Sequence, residues 1–116
     1  MKLLGLNGGR RDGNSEILLK EALMAAEELG IEAELIRLHD LTIKPCRGCE
    51  ACTLGRIKTG IRTDCVQKDD HWAFLLEKMG DADGIILSSP AYCFRPPGLV
   101  MMIRDRWAGI GRCCRI

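Results

Sequence analysis

Short apolar runs alternate along the chain with longer stretches in which apolar positions recur every three or four residues. Residues 2–6, Lys-Leu-Leu-Gly-Leu, end at Asn7-Gly8-Gly9, which predicts a buried strand followed by a tight turn. Over residues 14–29, Leu18, Ala22, Ala25 and Leu29 fall at helical spacing and predict a helix buried along that stripe. Asn14 or Ser15 is placed to cap it, Glu16 suits the positive end of its dipole, and Gly30 is placed to close it. Residues 31–38 alternate Glu32 and Glu34 with Ala33 and Leu35, which predicts an edge strand with faces of different polarity. Residues 39–68 carry no sustained period and read as a loop. A second helix opens at Asp69 or Asp70, sets Trp72, Leu75, Leu76 and Met79 on one side, and ends at Gly80. Gly84-Ile85-Ile86-Leu87 is continuously apolar, the pattern of a parallel strand covered on both faces, and Ser88-Ser89-Pro90 stops it. Pro96-Pro97-Gly98 precedes a third helix, 98–107, with Leu99, Met102, Ile103 and Arg106 on one side.

Strands alternating with helices predict an α/β fold with a parallel sheet and right-handed crossovers. The 116 residues suit one domain, and no repeat or low-complexity run divides them. A composition of 47% hydrophobic and 28% charged residues is globular. Lys plus Arg is 17 and Asp plus Glu is 16, a net charge of +1, which argues against a dedicated nucleic-acid binder. No stretch approaches the ~20 apolar residues of a membrane span. The opening MKLLGLNGGRR lacks the apolar core of a secretion signal, so the expected compartment is the cytoplasm.

In parallel α/β sheets, ligands bind beyond the carboxyl ends of strands. One loop at such an end runs Asn7-Gly8-Gly9-Arg10-Arg11-Asp12-Gly13-Asn14-Ser15; the other runs Ser88-Ser89-Pro90-Ala91-Tyr92-Cys93-Phe94-Arg95. In the first, glycines let backbone amides approach a ligand, Asn14 and Ser15 add polar groups, Arg10 or Arg11 adds charge, and the following helix adds its dipole. It is not a nucleotide P-loop, because Asn14 stands where lysine is required, and its glycines do not fit GxGxxG. Spacing alone leaves a phosphate cradle and a solvated, capped turn both open.

The seven cysteines are Cys46, Cys49, Cys52, Cys65, Cys93, Cys113 and Cys114. The run Cys46-x2-Cys49-x2-Cys52-x12-Cys65 can bring four thiolates to an iron–sulfur cluster. Zinc is the rival ligand, and free thiols packed as small hydrophobes are the third reading. Lys44, Arg47, Arg56, Lys58 and Arg62 read as solvated, His39 and His71 as surface or capping residues, Trp72 and Trp107 as core, and Asp69-Asp70 as a helix cap. No Ser/His/Asp set or carboxylate pair points to hydrolysis, and no side chain is assigned as a catalytic acid or base.

Together these motifs resemble the NAD(P)H-dependent FMN reductases, flavodoxin-like proteins, over residues 1–106. The first loop resembles their phosphate loop. Pro45-Cys46-Arg47-Gly48-Cys49-Glu50-Ala51-Cys52, Asp64 to Asp70, and Ala82 to Tyr92 resemble their iron–sulfur flavoprotein branch. The resemblance implies a three-layer α/β/α fold with a cysteine-rich loop at 44–66. It implies FMN, with its phosphate at Asn7, Gly9, Arg10, Arg11, Asn14 and Ser15 and its ring against Pro90, Ala91, Tyr92, Cys93 and Phe94. It also implies a [4Fe-4S] cluster on Cys46, Cys49, Cys52 and Cys65, NAD(P)H as electron donor, and a redox protein as partner. The function expected is an FMN-dependent oxidoreductase; an electron carrier without its own substrate and a non-catalytic fragment are the alternatives.

The chain departs from the family pattern in four places. Gly9 and Arg10 stand where serine and proline are usual, and Cys93-Phe94-Arg95-Pro96-Pro97 replaces a glycine-rich turn. The Cys52–Cys65 interval is long. The family has five parallel strands where this sequence supplies three, followed by an atypical tail, 107–116. The strand at 84–88 is therefore expected to be an edge that pairs with a second chain, is covered by the tail, or promotes aggregation. A homo-oligomer is expected, with weak FMN binding unless a second subunit supplies the missing wall.

Overall fold

The computed structural model describes residues 1–60 and 64–109. Strand β1 (Lys2–Asn7) is central; β2 (Glu32–Arg37) pairs with it on one side and β3 (Gly84–Ser88) on the other, all parallel, in the order β2-β1-β3. The register sets Leu4 between Glu34 and Ile85, and Leu6 between Ile36 and Leu87. This is the α/β class the pattern predicts, and β2 is an edge as its alternation implies.

Helix α1 (Asn14–Glu28) covers one face of the sheet. Its buried residues are Glu16, Leu19, Leu23 and Ala26. The predicted stripe is thus one residue out of phase: Leu18 is 69% exposed and Leu29 81%. Both stripes have helical spacing, and Gly5 decides between them. A Cβ at Gly5 would lie 2.7 Å from Leu23 Cδ1 and 3.1 Å from Leu19 Cδ1, so the bare backbone of β1 receives those two leucines. The helix starts from Gly13 without a side-chain cap, contrary to the capping role expected of Asn14 or Ser15. Its end is as expected: Gly30 has φ +79°, Gly30 N–H donates to Glu27 O at 2.9 Å, and Ile31 N–H donates to Ala26 O at 3.1 Å, a Schellman closure.

The other face carries α3 (Trp72–Asp81) and α4 (Gly98–Gly109). Trp72, Leu75, Met79, Val100 and Ile103 pack there with Leu4, Leu6, Ile36, Leu38 and Ile43 in one core. Gly80 lies inside α3 and does not end it; the helix runs one residue further. Helix α4 continues past position 107, and Trp107 packs against the core. Its buried positions are Val100, Ile103 and Arg106, while Leu99 and Met102 are half-buried.

Residues 39–68 are not all loop. A 3-10 turn (Leu38–Asp40) follows β2, and α2 (Ala51–Thr59) lies within the cysteine-rich segment. No residue of α2 is fully buried; Cys52 alone among its apolar residues packs against the core, too little for a stripe of large apolar residues. Among the described residues β3 is an edge strand, and only one of its faces has the covering expected of both: Ile86 is half-buried on the α1 side, while Ile85 is 36% exposed and Leu87 50% on the other. The expectation that the tail covers this edge falls on residues 110–116, outside the described residues, as do Arg62, Cys113 and Cys114.

Candidate functional site

The carboxyl ends of β1 and β3 meet at one opening. Gly8 N–H donates to Ser88 O at 2.7 Å, which ties the start of the loop to β3. A Cβ at Gly8 would lie 2.6 Å from Val100 Cγ2 and 3.3 Å from Ser88 O, so this close approach requires glycine. Asn7 is fully buried beneath the turn. Its Oδ1 accepts Gly9 N–H at 3.0 Å and its Nδ2 donates to Glu16 Oε2 at 2.8 Å. Gly13 N–H closes the loop on Arg10 O at 3.2 Å. Ser88 Oγ donates to Ser15 O at 2.7 Å and fixes the start of α1 against β3.

The first amides of a helix have no partners within it, and no side chain caps α1. They open on a cleft of about 180 Å³ lined by Gly9, Arg10, Gly13, Asn14 and Ser15 on one side and Pro90 and Tyr92 on the other. A Cβ at Gly9 would project to 3.1 Å from Ser15 Cβ and 3.3 Å from Pro90 Cδ, so glycine keeps this cleft open. Of the other residues singled out by sequence, Asn7 supports the loop from below and Arg11 points to Asp40, 3.7 Å away. Ala91 is exposed. Cys93 and Phe94 form the tip of a tight turn in which Tyr92 and Arg95 exchange backbone hydrogen bonds of 2.8 and 3.1 Å. Both tip residues have positive φ, 49° and 63°, and Phe94 is fully exposed.

Beneath the cleft lies a charge network that sequence reasoning missed. The Glu16 carboxylate has no exposed surface and takes Arg37 Nη2 at 2.7 Å and Lys20 Nζ at 2.9 Å. Hydrogen bonds from Arg37 and then Lys20 outweigh burial and lower its pKa from 4.5 to about 2. Lys20 Nζ also reaches Asp12 Oδ1 at 3.4 Å, so the two cations are matched by two carboxylates and the network braces the loop rather than charging it. Glu16 was legible only as a first-turn acid; Arg37, distant in sequence, carried no signal beyond its place at a strand end.

The cysteines gather at a second site. Cys46, Cys49, Cys52 and Cys65 line one small cavity with Gln67 and Arg106. Gly48 (φ +65°) and Glu50 (φ +58°) bend the chain between the first cysteines and α2, and Gly48 N–H donates to Cys46 Sγ at 3.4 Å. Among the described residues no three His, Cys, Asp or Glu side chains converge tightly enough for a single metal ion. The four thiols share one cavity, and backbone and guanidinium N–H groups donate to two of them, Cys46 and Cys65. Helix α3 starts at Trp72, with His71 and not Asp69 or Asp70 at its N-cap position, so the predicted start lies two to three residues early; Asp70 serves instead as a buried acceptor. It accepts Lys44 N–H at 2.8 Å and Trp72 N–H at 3.2 Å and pairs with Arg106. Burial raises its pKa, but the hydrogen bonds from Lys44, Arg106 and Trp72 together leave it below its ordinary value. Lys44 pairs with Asp69, and His71 Nδ1 accepts Thr42 N–H at 2.8 Å.

A parallel sheet flanked by helices, with an uncapped helix start at the end of its central strand, defines an α/β protein of the flavodoxin-like class. The family profile described as NADPH-dependent FMN reductase matches residues 1–109, and the chain belongs to that family. An iron–sulfur flavoprotein of Archaeoglobus fulgidus is 42% identical over 106 residues, 91% of this chain and 48% of the relative. One from Methanocaldococcus jannaschii is 39% identical over 107 residues, 91% of this chain and 51% of the relative. The chain thus spans about half the length of these curated relatives. A solved structure of a flavone reductase superposes with a TM-score of 0.70 at 36% identity, over 92% of this chain and 30% of that one. The structure of RosB, with a TM-score of 0.68 at 23% identity over 93% of this chain and 42% of its own, shares the fold. No helix among the described residues is long and apolar enough to cross a membrane.

Proposed function

We propose that this chain binds FMN in the cleft between Gly9–Ser15 and Pro90–Tyr92 and moves electrons from a reduced nicotinamide to a redox protein through the flavin and a [4Fe-4S] cluster. The observation that carries this reading is the meeting of an uncapped helix start with a second ligand-facing loop at the carboxyl ends of β1 and β3. When bound, FMN supplies hydride acceptance and single-electron release, and the cluster supplies a single-electron relay. The chain's own residues do the holding. Asn14 and Ser15 amides and the Ser15 hydroxyl donate to the phosphate, and Arg10 adds charge. Asn7 and Glu16 keep the loop open from below. Pro90, Ala91, Tyr92, Cys93 and Phe94 form the wall offered to the ring. Cys46, Cys49, Cys52 and Cys65 would hold the cluster; they line one cavity, whose outer side, Cys46 to Glu50, is exposed. The exposed edge at β3 is the place where a second copy would complete the flavin pocket.

Anaerobic purification, followed by reconstitution with FMN and iron–sulfide, visible spectroscopy and metal analysis, tests this. The expected result is flavin bands with broad cluster absorption and about four irons per chain. Zinc in place of iron removes the cluster, and a colourless chain removes the whole reading. Steady NAD(P)H turnover then assigns an enzyme; reduction only by a partner protein assigns a carrier.

A further inference from the structure

Arg106, on α4, is 2% exposed, yet it faces the cavity lined by all four clustered cysteines. Its Nη1 donates to Lys44 O at 3.2 Å and pairs with the Asp70 carboxylate. Its Nη2 donates to Gln67 O at 3.1 Å and to Cys65 Sγ at 3.5 Å. The guanidinium carbon stands 4.7 Å from the centre of the Trp72 ring, and Nε has no hydrogen-bond partner. One side chain therefore binds both ends of the cysteine segment to α4.

The Arg106–Asp70 pair is shielded on both sides, with side chains 1% and 0% exposed. Such a pair gains little stability over apolar packing, because desolvating two charges offsets their attraction. Its orientation gives it another use. Asp70 sits at the Nη1 edge and the thiol at the Nη2 edge, so a neutral pair turns its positive end toward sulfur.

We infer that Arg106 is a positioning residue of the four-cysteine cavity: it holds Cys65 in place to complete the ligand set, and its positive edge biases a cluster there toward the reduced state. The inference rests on the cluster reading of that cavity. One-electron reduction adds negative charge to a cluster; the guanidinium exchanges no proton in the step and stabilises the added charge by its fixed field.

The test is a dithionite titration, dithionite supplying the electron, of the reconstituted chain followed by electron paramagnetic resonance, in wild type and two variants. Asp70→Asn removes the countercharge, leaves the guanidinium uncompensated, and is expected to shift the midpoint potential positive. Asp70→Asn combined with Arg106→Met removes the pair without leaving a buried lone charge. It is expected to shift the midpoint negative and to lower iron per chain by half or more. A merely structural pair would change stability and loading but would not move the midpoint in opposite directions. Midpoints unchanged in whichever variants load, or moving the same way, overturn the inference. If the double variant fails to fold, an unshifted Asp70→Asn does so alone. A wild-type chain that takes up no cluster under these conditions removes the cluster reading itself, and the inference with it.

Discussion

Glu16 shows how much one buried side chain arranges. It joins α1 to β2 through Arg37 and to the cleft through Asn7, whose other end holds the Gly9 amide. Its pKa is about 2 in the folded chain against an ordinary 4.5. A depressed carboxylate stabilises the fold fully above its unfolded pKa, and that contribution is lost as pH falls toward the folded value. Urea midpoints should therefore hold steady above pH ~5 and fall between about pH 4.5 and 2, a limb that Glu16→Gln should flatten. Gly9→Ala puts a methyl against Ser15 and Pro90 and should weaken FMN about tenfold or more by fluorescence titration. Gly30→Ala, strained by its positive φ far from the cleft, should cost about 1–2 kcal/mol and leave FMN affinity unchanged. At the hairpin tip, Phe94→Gly relieves a left-handed backbone and should raise stability by about 1 kcal/mol in thermal melts.

At the scale of elements, α1 separates what a pattern carries from what only packing decides. Its existence and its glycine closure were legible, because spacing and Gly30 each suffice. Its buried face was not, since Leu18-Ala22-Ala25 and Leu19-Leu23-Ala26 share the same spacing. The choice belongs to Gly5, on another element. Leu19→Ala should accordingly cost about 2–5 kcal/mol in denaturant unfolding, while Leu18→Ala stays within about 0.5 kcal/mol. Helix α2 escaped notice for another reason: it is short, nine residues with Gly55 in its middle, and none of them is fully buried. Strands β1 and β3 were legible because their apolar runs are short and ended by Asn-Gly or Ser-Pro, and β2 because Glu32 and Glu34 alternate with Ala33 and Leu35.

Across the whole molecule, the loops at the carboxyl ends of β1 and β3 were found because glycine, serine and proline punctuate them. The cysteines were found because their spacing is regular. What joins those features was hidden. Arg37 with Glu16 and Arg106 with Asp70 and Cys65 are pairings across 21 to 41 residues of chain, and sequence periodicity reports nothing at that range. The chain spans about half of its curated relatives and leaves Ile85 and Leu87 exposed beside β3. On the proposed reading, the uncapped start of α1 beside Gly9 to Ser15 is the part of the cleft that takes the phosphate. The most direct measurement is a paired titration of FMN and riboflavin, which differ by that phosphate. Affinity for FMN at least about tenfold tighter, ~1.4 kcal/mol, and weakening with salt, is the result predicted. Equal affinities for the two flavins would contradict the account.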